Sequence, residues 1–260
     1  MMRFPLRLTA DLVLARIAQK LRPAPGARLV QFVDAAEVLH SDSSHPISHD
    51  KIREIIGGRS PVVWIGGSEP LLHPGVAHLV RAITGSGHFV FLETDGTLLR
   101  RRIHEFQPVS RLFLTVRLET LAQSRTSRSL RTEALDLAME GIRAARLSGF
   151  SICVQGRVNS ETEISEVAEL IQLAHSNDVD GIFISPASRE SNSVNPDPAA
   201  SPQKTAKARK LIGSAWWESF SRLIEPVVSG ERNAVRSAEE KSGAPVEQES
   251  RANEEGVKVA

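Results

Sequence analysis

Apolar residues along this chain come in two rhythms that alternate. Val62, Val63, Trp64 and Ile65 form one unbroken apolar run, closed by Gly66-Gly67, as expected of a strand buried on both faces. Similar strands are predicted over Arg28–Asp34, His88–Glu93, Arg111–Leu118, Phe150–Val158 and Gly181–Ser185. Between them the spacing changes to three and four. Val76, Leu79, Val80 and Ile83 precede Gly85-Ser86-Gly87. Leu135, Ala138, Met139, Ile142 and Ala145 precede Gly149, and Ile164, Val167, Leu170, Ile171 and Ala174 make a third set. Shorter helices are predicted over Ser48–Ile56 and Leu98–Phe106. The alternation predicts parallel strands joined by right-handed crossovers, which a partial barrel and an open doubly wound sheet both satisfy. No G-x-G-x-x-G follows the first strand, which weighs against a dinucleotide fold.

The flanks read differently. Within residues 1–27, Leu8, Leu12, Val13, Ile17 and Leu21 recur at helical spacing, with Thr9 as a cap and Pro23 as a stop. Arg3, Arg7, Arg16, Lys20 and Arg22 raise a membrane-surface role for this amphipathic helix, although packing against a barrel end is the commoner outcome. The alternating domain covers residues 28–190, and residues 191–203, rich in Ser, Asn and Pro, read as a linker. Residues 204–228 read as one helix with an apolar stripe of Leu211, Ile212, Ala215, Trp216, Phe220 and Ile224. It is expected to cover the domain, with docking of a protein partner as the alternative. Residues 229–260 are polar and aperiodic, the composition of a disordered tail.

Composition narrows the field only slightly. The 41% hydrophobic and 24% charged content of the 260 residues is that of a soluble globular protein. No apolar run approaches the ~20 residues of a membrane span, and Arg3, Arg7, Asp11 and Arg16 interrupt any apolar leader. A cytoplasmic location is expected. The net charge of +1 favours no partner class. Arg100, Arg101, Arg102, Arg111, Arg117, Arg125, Arg128 and Arg131 make one region basic, but without the interleaved aromatics of single-strand binders. Cys153 is the single cysteine and sits in a predicted strand, as a core thiol would.

The candidate chemistry lies at two turns. Gly66-Gly67-Ser68-Glu69-Pro70-Leu71-Leu72-His73-Pro74 follows the second strand, and Thr94-Asp95-Gly96-Thr97-Leu98-Leu99 follows the third. These two turns, in this order and spacing, resemble the radical S-adenosylmethionine (SAM) superfamily. There a G-G-E-P turn is followed by a T-N-G-T-L-L-like turn. The resemblance spans about Arg28 to Pro186 and extends to the helix end at Gly141–Phe150. It implies an α/β fold, a partial (β/α)6 TIM-like barrel, with its site at the carboxyl ends of the strands. It also implies that Gly66, Gly67, Glu69 and Pro70 hold the amino group of SAM, with Thr94 and Asp95 in the second turn. Ser68 departs from the pattern, either as an insertion or in place of a glycine, and Asp95 stands where the family has Asn.

The family also implies a [4Fe–4S] cluster held by C-x-x-x-C-x-x-C after the first strand. The equivalent stretch, Asp34 to Ser44, contains no cysteine, and such clusters require thiolates. The cluster is therefore not expected here. Asp34, Glu37, His40, His45 and His49 suggest a mononuclear metal, but such residues in polar loops are mostly solvated, so no metal is assigned. Ser41, Ser43 and Ser44 have no base–orienter pair. Three functions follow from the resemblance. The preferred one is a degenerate barrel kept as a SAM-binding, small-molecule-binding or interaction module. The others are an active enzyme with unconventional cluster ligation or changed chemistry, and a non-catalytic accessory subunit.

Overall fold

In the computed structural model, residues 4–21, 28–38, 49–118, 128–187 and 201–228 are described. Six parallel strands, β1 (Val30–Asp34), β2 (Val62–Gly66), β3 (Phe89–Thr94), β4 (Leu112–Leu118), β5 (Ser151–Val158) and β6 (Gly181–Pro186), pair strictly in chain order. The helices are α1 (Leu6–Leu21), α2 (Ala35–Val38), α3 (His49–Ile56), α4 (Val76–Gly85), α5 (Leu99–Arg102), α6 (Arg128–Leu147), α7 (Ile164–Ser176), α8 (Pro202–Lys210) and α9 (Ala215–Val228). Single turns of 3₁₀ helix occupy Pro70–Leu72 and Ile103–Glu105.

The sheet curls into a half-barrel, and ring contacts across it show this directly. β2 and β6 are four strands apart, roughly 19 Å in a flat sheet. Yet the rings of Trp64 and Phe183 are 5.5 Å apart, centroid to centroid. Phe91 stacks on Trp64 at 5.6 Å and on Phe113 at 4.6 Å. Alternate residues of β2, β3, β4 and β6 thus project large rings into the concave face, and the other set of a barrel strand faces the outer helices. This confirms the partial barrel and excludes the flat doubly wound alternative.

The concave face does not stay open. Trp217, Phe220 and Ile224 of α9 are buried on it, and the helix packs on both β6 and β1. Trp217 lies so close to Gly181 that a Cβ there would stand 2.5 Å from its ring. Burying an indole and a phenyl of this size contributes about 2–3 kcal/mol each. The covering role expected of the C-terminal helix is therefore what the structure shows, but its continuity is not. The expected single helix over residues 204–228 is two, broken at Gly213, whose φ of +68° suits glycine and few other residues.

α1 closes the amino-terminal end of the strands. Leu8 is fully buried and Leu12 packs on the core. Asp11 pairs at 3.8 Å with Arg111, which lies over the ring of Phe89 at the start of β3. Thr9 is no cap. The helix begins after Pro5, and the Thr9 hydroxyl donates to the Pro5 carbonyl from inside the first turns. The described residues all lie within one compact unit. Among the described residues no helix is long and apolar enough to cross a membrane.

Candidate functional site

The carboxyl ends of β1, β2 and β3 meet at the glycine turn. Asp34 ends β1 opposite Gly66, and its carboxylate accepts from the Ala36 N–H at 2.9 Å. The same carboxylate lies flat against Gly67. A Cβ on Gly67, whose φ is +87°, would fall 2.6 Å from Asp34 Oδ1. Only glycine combines that left-handed backbone with so close a neighbour. Ser68 and Gly67 are exposed, so the turn's backbone is open to solvent.

Glu69 bolts this turn to the next one. Its Oε1 accepts from the Thr94 hydroxyl at 2.7 Å and the Leu71 N–H at 3.1 Å, and its Oε2 accepts from the Asp95 N–H at 2.8 Å. Pro70 starts the 3₁₀ turn that Glu69 caps, where a missing N–H costs nothing. Burial pushes the Glu69 carboxyl above the usual glutamate range, with the nearby Asp95 charge adding to it, although the three hydrogen bonds oppose the rise. A carboxylate offers about four lone-pair directions, so three donors leave one unspent. Asp95 serves its own turn by accepting from the Thr97 N–H and hydroxyl at 2.9 and 2.7 Å. Gly96, at φ +83°, lets that turn press against Val116 and Ala138, where a Cβ would stand 2.9 and 3.0 Å away. All six residues singled out in the sequence thus belong to these two neighbouring turns, and Glu69, Thr94 and Asp95 share one hydrogen-bond network.

A polar layer just below was missed in the sequence. Glu93, 4% exposed, accepts from Trp64 Nε1 at 2.7 Å and from Arg117 and Arg157 at 2.8 and 3.3 Å. Burial works against the charge on Arg117, but the carboxylates of Glu93, Glu69 and Asp95 outweigh it and raise its pKa. Gln155 donates to Ser185 at 3.2 Å, and among the described residues Thr115 Oγ1 and Gln155 Oε1 are buried without a hydrogen-bond partner. The signal was present: Glu93, Arg117, Gln155, Arg157 and Ser185 interrupt apolar runs near the ends of strands. Arg102 was also missed as a support. It donates to the carbonyls of Leu71 and His73 and pairs with Glu105, and so holds the 3₁₀ turn in place.

Other sequence candidates disperse. Arg100 pairs with Glu140, Arg102 with Glu105, Arg111 with Asp11 and Arg117 with Glu93, so these arginines are tied to separate acids rather than forming one patch. The side chains of Arg125, Arg128 and Arg131 lie outside the described residues, as do His40, His45, Ser41, Ser43 and Ser44. Among the described residues no three His, Cys, Asp or Glu side chains are grouped to hold a metal. Cys153 is fully buried on β5, and burial, with Asp180 nearby, pushes its thiol well above the usual range. Two shallow clefts lie in the outer layer, one beside Val80 and Phe106, the other beside Met139 and Leu173. Neither touches the turns.

A curled parallel sheet of six strands, carrying polar groups and an acid-bearing glycine turn where the strands end, defines a partial (β/α)6 barrel. Residues 48–174, just under half of the chain, match the family model described as the radical SAM superfamily, and that stretch is a radical SAM domain. It is 27% identical over 158 residues to GTP 3',8-cyclase 2 of Pseudomonas aeruginosa, covering 60% of this chain and 46% of that protein. To the GTP 3',8-cyclase of Rhizobium etli it is 30% identical over 122 residues, or 45% of this chain and 35% of that one. The chain therefore spans less than half the length of these relatives. In structure it resembles Streptococcus suis SuiB bound to S-adenosylmethionine, with a TM-score of 0.56 and 13% identity over 76% of this chain and 49% of that one. That likeness is one of fold.

Proposed function

We propose that this chain is a binding module on the radical SAM fold, which grips SAM or a small molecule with a similar cationic amine and does not assemble the [4Fe–4S] cluster. The observation that supports this most is Glu69: a carboxylate fixed by three donors, raised in pKa by burial, and left with one unspent lone-pair direction. An ammonium group placed there supplies the missing counter-charge. Gly66 and Gly67 offer backbone on the same side, Asp34 adds a second carboxylate, Pro70 sets the angle of the turn, and Thr94 and Asp95 hold Glu69 in place. Arg117 and Arg157, on β4 and β5, are paired with Glu93, and the Arg117 charge also lies within reach of the Glu69 and Asp95 carboxylates.

The cluster does not fit the donors present. It needs several thiolates, and these 260 residues contain one cysteine, buried and held in its protonated form. Calorimetry with SAM, beside anaerobic iron–sulfur reconstitution, tests both halves. Heat with SAM is expected, together with at least tenfold weaker binding of methylthioadenosine, which lacks the amino-acid group. Iron is expected to stay well below one cluster per chain. No heat with SAM overturns the binding half, and cluster absorbance with reductive SAM cleavage restores the active-enzyme reading.

A further inference from the structure

α1 is apolar on two sides, and only one of them is used. Leu8, Leu12 and Ala15 face the barrel. On the opposite side Leu6 is 87% exposed, Leu14 63%, Leu21 76%, and Val13 and Ile17 48% each. At 100° per residue these five fall within a stripe about 100° wide, with Ala10 along its middle. A solvent-facing stripe of this size on a monomer marks an interaction surface. Trp216 of α9 extends it. This indole is 57% exposed and stacks on Phe4, two residues before Leu6.

The charges around the stripe select the occupant. Arg7 flanks it on one side, Arg16 and Lys20 on the other, and all three are exposed. The one acid of the helix, Asp11, is turned inward to Arg111. An apolar stripe bordered only by cations, with an indole at one end, is complementary to the headgroup region of an anionic bilayer. Two copies packed stripe to stripe would bring like charges together. We infer that α1 lies on an anionic lipid surface, in the plane of the interface, with Leu6, Val13, Leu14, Ile17 and Leu21 inserted. This does not depend on what the strand ends bind. Because α1 covers the amino-terminal end of the barrel, the turns at the other end would face away from the bilayer.

Flotation of the full chain with vesicles tests this, using pure phosphatidylcholine against phosphatidylcholine containing one part in three phosphatidylglycerol. Binding to the anionic vesicles is expected, weakening as salt is raised. Each lost cation should cost about fivefold, so the triple change Arg7→Gln, Arg16→Gln, Lys20→Gln should weaken binding roughly a hundredfold. Leu14→Asp with Ile17→Asp should abolish it. Both variants alter exposed positions and should keep the wild-type melting temperature, which verifies that they fold. Failure to float with anionic vesicles, or equal binding to neutral ones, overturns the inference. So does a dimer in light scattering that Leu14→Asp with Ile17→Asp dissociates, because the stripe would then be covered by a second copy.

Discussion

Glu69→Gln separates the two roles that the structure gives this side chain. The amide keeps the shape, and its oxygen still accepts from Thr94 and Leu71. Its NH2 then faces the Asp95 N–H, donor against donor, where Glu69 Oε2 now accepts at 2.8 Å. A partly buried N–H left without an acceptor costs about 1–3 kcal/mol. Against this, the variant no longer buries a charge, which is the dominant cause of the raised pKa. The two nearly offset, for a net loss of about 1 kcal/mol and a fall in Tm of about 2–4 °C. Binding has no such offset. A charge-assisted hydrogen bond to an ammonium is worth about 1.5–3 kcal/mol, so SAM affinity should drop about ten- to a hundredfold by calorimetry. Thr94→Val is the control: it removes a donor to Glu69 but leaves the carboxylate. It should destabilise by a similar amount and weaken SAM by less than about fivefold. The pH dependences have opposite signs. A raised carboxyl pKa means that the folded chain holds the proton more tightly. The stability this gives is present at acid pH and lost as pH rises through the raised value. Ammonium binding needs the ionised form, so affinity should climb over that same interval in the wild type and stay flat in Glu69→Gln. An affinity for SAM within twofold of wild type in Glu69→Gln, or an unchanged pH profile, would refute the assignment.

Three further outcomes follow from the packing. Gly67→Ala places a methyl against the Asp34 carboxylate in a left-handed backbone, so urea unfolding should show a loss of about 2–4 kcal/mol. Adding Asp34→Ala should recover only the clash, and a fully neutral Gly67→Ala would mean that the turn is misplaced. Glu93→Ala leaves Arg117 and Arg157 beside a buried void and should cost about 3 kcal/mol in the same assay; a change below about 1 kcal/mol contradicts the arrangement. The Cys153 thiol should stay inert to a disulfide exchange reagent in the native state and react on unfolding, whereas rapid native labelling would place it at the surface.

The barrel was legible because its strands are buried on both faces. Continuous apolar runs between helical repeats leave few other architectures, and strand starts fell within two residues of those observed. The two turns were legible for a different reason: they are local, and their glycines and acids are adjacent in sequence. What could not be read was anything made by laying strands side by side and curling them. Glu93, Arg117 and Arg157 are separated by 24 and 64 positions along the chain from the partners they meet, and each looks like an ordinary interruption of its own strand. The break at Gly213 was missed because the apolar stripe continues through it, and a single glycine inside a helical pattern is often tolerated. Both apolar faces of α1 were written into one set of residues. Leu8 and Leu12 were counted with Val13, Ile17 and Leu21, although the first two point inward and the rest outward.

α9 also acts as a strut. It bears on β6 and β1, the first and last strands of the arc, and wedges Trp217 onto Gly181. The spread of the half-barrel is therefore governed by a segment that lies beyond the family match at residues 48–174. Bulkier or slimmer side chains at Trp217, Phe220 and Ile224 should widen or narrow the arc, and move the acidic turns and the arginine-bearing strands relative to one another, without altering one residue of either.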